Sequence, residues 1–259
     1  MSRRELPRLA AAGRPLTPPG DLRSTLLIAR RGALEALHDR LTVIVSLFFA
    51  LVLPAGLVLT TVLPAAASTP SSALGQLLAV YLLIIGLLPS SAAIGVAAGQ
   101  FAGEKEQGNL TPLLASPASN LAIFGGKVLG SVVPAIVFSV VAELAYLGTL
   151  LLTVGLGDLR LLPVGLALGM VALVPASALF ETVIASLISS RVRTFNTAQQ
   201  ISGLALIPFW GAIAVLGFAL RSWGGLAVAA AVVTLFAADV VLTWLAASTW
   251  RREEVLGQR

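Results

Sequence analysis

Six stretches of this chain, at about Leu41–Leu63, Leu74–Ala98, Val128–Val154, Leu161–Ser189, Ile201–Leu220 and Leu226–Ala247, are almost free of charge. Each approaches the roughly 20 apolar residues that a helix needs to cross a bilayer. Hydrocarbon offers no water to bond a backbone N–H or C=O, so a run of this kind must satisfy its own peptide groups as a helix. The pattern predicts an all-α membrane protein with six transmembrane helices over residues 41–248. Composition agrees: 57% of residues are hydrophobic and 11% charged, against about 25% charged in soluble domains. Pro54, Pro89, Pro134, Pro163, Pro175 and Pro208 are expected to kink or start helices, since neighbouring helices can satisfy the freed groups. Small residues recur four apart at Gly95, Gly99 and Gly103, at Gly126 and Gly130, and at Gly165 and Gly169. Such spacing permits close helix contact, within one chain or between copies. No internal repeat is visible.

The basic residues orient the spans. With Arg3, Arg4, Arg8, Arg14, Arg23, Arg30, Arg31, Arg40, Lys105, Lys127, Arg191, Arg193, Arg251, Arg252 and Arg259 on one side, only Arg160 and Arg221 remain for the other, which predicts cytoplasmic termini. The net charge of +5 then reflects topology and anionic lipid, and calls for no nucleic acid. Residues 1–20, rich in Arg and Pro, read as a mobile cytoplasmic tail, and 249–259 as a C-terminal cytoplasmic tail. Ser2-Arg3-Arg4 lies too far from the first apolar run for a twin-arginine signal. Across 21–40, Leu22, Leu26, Ala29, Ala33 and Leu37 recur at helical spacing while Arg23, Arg30, Arg31, Glu35 and Asp39 fall on other faces. This predicts an interfacial helix on the inner leaflet, or else a cytoplasmic extension of the first span.

Between the second and third apolar runs stands Gly103-Glu104-Lys105-Glu106-Gln107-Gly108-Asn109-Leu110-Thr111-Pro112-Leu113-Leu114-Ala115-Ser116-Pro117. Three successive charges do not belong in hydrocarbon, and Gly108, Pro112 and Pro117 confine any helix to a short piece near Leu110–Ala115. The segment resembles the cytoplasmic coupling motif of type-2 ATP-binding-cassette (ABC) exporter permeases. That motif runs Gly-Glu-Lys/Arg-Glu-x-Gly-Thr-Leu-Glu-x-Leu-Leu-x-Ser/Thr-Pro, with Gly-Lys further on. Gly103 to Glu106, Gly108, Leu110, Leu113, Leu114, Ser116, Pro117 and Gly126-Lys127 match it, whereas Asn109 stands for Thr and Thr111-Pro112 for Glu-x. Arg193-Thr194-Phe195-Asn196-Thr197-Ala198-Gln199-Gln200 resembles the Ala-Gln-Gln entry to the fifth span in that family, and Trp250-Arg251-Arg252-Glu253-Glu254-Val255-Leu256 its aromatic-Arg-Glu tail. Chemistry alone reads the first as helix caps and the second as a membrane anchor.

The resemblance implies a permease subunit, not an enzyme, that exports a substrate as a homodimer or heterodimer in a prokaryotic-type cell membrane. ATP and Mg would reside on a separate cytoplasmic ATPase subunit docked at Gly103–Pro117, with a coupling helix between spans 2 and 3. Glu104, Lys105 and Glu106 would supply polar contacts and Leu110, Leu113 and Leu114 apolar ones. No cofactor is expected on this chain. Gly125-Gly126-Lys127-Val128 lacks the spacing of a phosphate loop, there are no cysteines, and His38 has no companion ligands for a metal. A different class, an ATP-independent ion or proton-coupled carrier, is suggested by Glu143, Glu181 and Asp239 within the spans. Counting residues from the nearest cytoplasmic basic residue places Glu181 and Asp239 in one layer and Glu143 nearer the outer face. These acids read either as hydrogen-bonding links between helices or as a cation or proton path.

Overall fold

A computed structural model describes residues 20–68, 70–90, 92–108, 116–155, 160–162 and 164–249. Among these residues there are helices and no strand. The chain begins with α1, Asp21–His38, and turns at Asp39 into α2, Arg40–Ser68. Asp39 makes the corner by capping α2: its carboxylate accepts from the Thr42 N–H at 3.1 Å and the Thr42 hydroxyl at 2.5 Å. Pro54 sits inside α2, and a π turn follows at Val58–Val62. There Thr60 and Thr61 donate their hydroxyls to the carbonyls of Gly56 and Leu57, which covers polar groups loosened by the wider turn.

The second apolar run folds as α3, Ser71–Ser90, and α4, Ala92–Ala98. α4 continues through a π turn, Gly99–Gly103, into a final turn at Glu104–Glu106. Ser119 caps α5, Asn120–Thr153, by accepting from the Ala122 N–H, and α5 carries Pro134 in its interior. Then come α6, Val164–Arg191, α7, Phe195–Ala205, α8, Ile207–Trp223, and α9, Gly225–Thr249. Pro208 falls in the first turn of α8, where its missing N–H costs nothing. Thr194 caps α7 by accepting from the Thr197 N–H, so this polar stretch does serve as a cap.

Five helical segments are long and apolar enough to cross a membrane: α2, α5, α6, the joined α7–α8 and α9. In the second run the continuous apolar part, Ala73–Leu88, is shorter. α5 and α6 are the most buried of the five, and α2, α8 and α9 lie outside them. One cluster joins Ala50, Leu78, Leu82, Tyr146, Met170 and Val228 from α2, α3, α5, α6 and α9; a second joins Phe101, Phe124, Val132, Val183 and Ala246. The buried Tyr146 hydroxyl donates to the Leu78 carbonyl at 3.0 Å, which ties α5 to α3. On the outside, Phe48, Phe49 and Val52 of α2 and Val240, Val241 and Trp244 of α9 are exposed. Such a surface is compatible with an integral membrane protein, in which hydrocarbon covers it.

α1 packs lengthwise on α5. A Cβ on Gly126 would lie 2.8 Å from Cβ of Ile28 and 2.9 Å from the Thr25 carbonyl oxygen, and one on Gly130 would lie 3.0 Å from that of Ala29. The Gly126–Gly130 spacing therefore serves a contact within the chain. The face of α1 turned to α5 is its small one, with Ser24, Ala29, Gly32, Ala33 and Ala36 buried, while Leu22, Leu26, Leu27 and Leu34 remain exposed. The apolar stripe read from sequence is thus divided between a protein contact and an outward face. Gly169 likewise abuts Val228 of α9. Of the tails expected at 1–20 and 249–259, all but Gly20 and Thr249 lie outside the described residues, as does the short helix expected at Leu110–Ala115.

Candidate functional site

The end of α4 is built on an opened helix. In the π turn the hydroxyl of Ser189, from α6, stands between Ala98 and Ala102: it donates to the Ala98 carbonyl at 2.8 Å and accepts from the Ala102 N–H at 2.9 Å. An α-helix would join those two backbone groups directly, so Ser189 completes a bond that the wider turn interrupts. The Lys127 ammonium, from α5, donates to the Gln100 carbonyl in the same turn. It also lies 2.7 Å from Glu104 Oε2 and 5.0 Å from the centre of the Phe101 ring. Lys127 is 1% exposed and the Glu104 side chain 24%. A buried ammonium of this kind is held only by such partners.

The remaining two charges of the Glu104-Lys105-Glu106 row reach other helices. Lys105 Nζ donates to the carbonyls of Ser190 at 2.5 Å and Val192 at 3.2 Å, at the end of α6, where unpaired carbonyls and the helix dipole attract a cation. Partial burial lowers the Lys105 pKa from its ordinary value. Glu106 Oε2 accepts from the Phe195 N–H at 3.1 Å, at the start of α7, where the dipole has the opposite sign. Successive residues of a helix point about 100° apart, so one short turn contacts three different elements. At Gly108, φ of +73° ends the helix in a conformation that glycine adopts without strain.

Of the expected docking residues, Gly103 is buried, Glu104 and Lys105 are half-buried, and Glu106, Gly108 and Pro117 are exposed. Leu110, Leu113 and Leu114 lie outside the described residues. The charge row read as an outward docking surface is thus largely engaged inside the chain; Glu106 alone of the three is exposed, followed by the exposed Gln107 and Gly108. The motif contained Lys127, but neither the inward pairing nor the part played by Ser189 was visible in sequence. The flanking glycines 99 and 103 are the local sign that the helix can open there.

Glu143, Glu181 and Asp239 are all buried. Glu143 Oε1 lies where a Cβ on Gly86 would be, 2.7 Å from it, beside Cγ2 of Val174, so this carboxyl sits where α3, α5 and α6 meet. α6 and α9 run parallel: Gly169 abuts Val228, and Val183 shares a cluster with Ala246. Glu181 and Asp239 each lie about three turns past the first contact. Glu143 Oε1 and both Asp239 oxygens find no hydrogen-bond partner among the described residues, nor do the buried hydroxyls of Ser139, Ser177 and Ser186. The links between helices expected of Glu143 and Asp239 are thus not made by these atoms. Among the described residues no group of three or more His, Cys, Asp or Glu is placed to hold a metal.

No protein-family model matches the chain, and comparison with characterised proteins finds no match in sequence.

Proposed function

We propose that this chain is the membrane subunit of an ATP-driven exporter of the type-2 ABC kind. In this reading α2, α3–α4, α5, α6, α7–α8 and α9 are six spans, α1 rests on the inner leaflet, and both termini are cytoplasmic. A separate cytoplasmic ATPase, carrying ATP and Mg, docks on the segment that leaves α4, and two permease subunits, alike or related, enclose the path. The observation that carries the reading is the wiring of Glu104-Lys105-Glu106 to α5, to the end of α6 and to the start of α7. A force on this one turn reaches three helices through charge-assisted bonds, which is what coupling demands.

The chain has no cysteine, so Gln107→Cys, at an exposed position, would carry its sole thiol. Cross-linking that thiol in native membranes should yield an adduct with a nucleotide-binding protein. Repeated capture of lipid alone, with no nucleotide-binding protein copurifying, would reject the reading.

A second reading, an ion or proton-coupled carrier without ATP, is favoured by the burial of Glu143, Glu181 and Asp239 and by the unbonded carboxylate of Asp239. Glu181→Gln and Asp239→Asn keep hydrogen bonding and remove the titratable proton. Transport that survives both substitutions supports the exporter, whereas transport abolished with ATPase binding intact supports an ion path.

A further inference from the structure

Between the α1–α2 corner, α4 with its π turn, and the first turns of α7 lies an open groove of about 1140 Å³. Its walls include Leu41, Val45, Ile94 and Val96. Four carboxylates, Glu35, Asp39, Glu104 and Glu106, also line it, with no Lys, Arg or His among the described lining residues. Lys127 neutralises Glu104 from beneath, and Arg31 pairs with Glu35 at 2.7 Å, but that pair is largely exposed and its hold is weak. Asp39 and Glu106 accept from Thr42 and from the Phe195 N–H, which are neutral donors. The groove is therefore an acidic recess in a region that the basic residues of α1 and of the α6–α7 turn otherwise make positive.

A second feature lies deep in the recess. The Gln100 side chain lines it, is 9% exposed, and packs against Gly32, where a Cβ would come within 2.4 Å of Gln100 Nε2. The backbone carbonyl of Gln100 is bonded to Lys127, but its carboxamide finds no hydrogen-bond partner among the described residues. The carboxamide nitrogen and oxygen are not among the fully buried polar atoms, so they face the groove and can exchange solvent for a ligand. Apolar walls, excess negative charge and one inward polar group are the features of a site for a drug-sized molecule with a positive charge, and the volume is ample.

We propose that this groove binds an amphipathic organic cation, with its apolar body against Leu41, Val45 and Ile94 and its charge beside Glu35 and Asp39. That such a cation is the exported cargo rests on the permease reading; that it binds does not. The test uses the purified chain in detergent micelles, without ATP or partner. Equilibrium dialysis compares tetraphenylphosphonium with tetraphenylborate, ions of nearly the same shape and opposite charge, against empty micelles. Saturable binding of the cation and none of the anion is expected. Glu35→Gln combined with Asp39→Asn, which leaves a residue at position 39 that still caps α2, should weaken cation binding about tenfold. Equal binding of both ions, no saturable binding, or cation binding untouched by the double substitution overturns the site. If the double variant does not fold, the comparison of the two ions on the unaltered chain still decides. Saturable cation binding by a chain that captures no ATPase would retain the site and reject the exporter.

Discussion

The Glu104–Lys127 pair joins a nearly buried ammonium to a carboxylate that still touches solvent, so the two halves should not be equally costly to lose. Glu104→Ala leaves the Lys127 ammonium with the Gln100 carbonyl and the Phe101 face but no counter-charge. Breaking a buried pair in this way costs about 3–5 kcal/mol, and the 24% exposure of Glu104 places this one near the lower figure, about 3 kcal/mol. Lys127→Met keeps the length of the side chain, removes the buried charge, and leaves Glu104 to be hydrated. Its cost is mainly the unpaired Gln100 carbonyl, about 1–2 kcal/mol. The double variant should resemble Lys127→Met, and so be more stable than Glu104→Ala by about 1–2 kcal/mol. Because membrane proteins commonly unfold irreversibly, the assay is the half-life of monodisperse protein in detergent at a fixed raised temperature, compared across the four chains. Expected is a half-life shortest for Glu104→Ala and recovered in part by adding Lys127→Met. Additive losses, or a shorter half-life for Lys127→Met than for Glu104→Ala, would refute the burial argument.

Other substitutions test separate contacts. Gly86→Ala directs a methyl onto Glu143 Oε1 and Val174 Cγ2 at 2.7 and 2.5 Å and should destabilise the bundle by about 1–3 kcal/mol, read as a shortened thermal half-life. Gly126→Val meets the backbone of α1 at Thr25 and should release α1, seen as faster proteolysis within 21–38 while the rest stays folded; unchanged proteolysis would contradict the packing. The carboxyl of Asp39 is held below its ordinary pKa by the Thr42 hydroxyl and N–H, so the support it gives the α1–α2 corner is present at neutral pH and is lost as the pH falls below about 3.8 through the folded-state value. Asp39→Asn should abolish that acid dependence of amide exchange at Thr42 and Val43. For topology, single cysteines at Ser71 and Arg191 should label from outside and inside respectively, and equal labelling from one side would sink the six-span arrangement.

Helices were legible because their cause is local. The apolar runs around Val128–Val154 and Leu161–Ser189 become α5 and α6, and Thr194 caps α7 as its chemistry suggests. Pro54, Pro134 and Pro175 lie inside helices, as the membrane rule allows. What sequence hid depends on partners far along the chain. Nothing near Gly99–Gly103 shows that Ser189, 87 positions beyond Ala102, fills the opened turn. Nor does a row of three charges reveal that Glu104 turns inward to Lys127 while Lys105 and Glu106 reach opposite ends of two helices. The glycine spacing at 126 and 130 announced a close contact without its identity, because the answering residues on α1 are Thr25, Ile28, Ala29 and Gly32 rather than the leucines that dominate its pattern.

The seat of α1 on α5 also imposes an order on biosynthesis. Ile28 emerges from the ribosome about a hundred residues before Gly126, the position it must meet, which at 5–20 residues per second is a delay of about 5–20 s. Throughout that interval the first helix is finished but has nowhere to dock, and its exposed leucines are the only apolar surface it can use. A nascent chain stalled before residue 126 would therefore leave α1 on the lipid surface or with a chaperone.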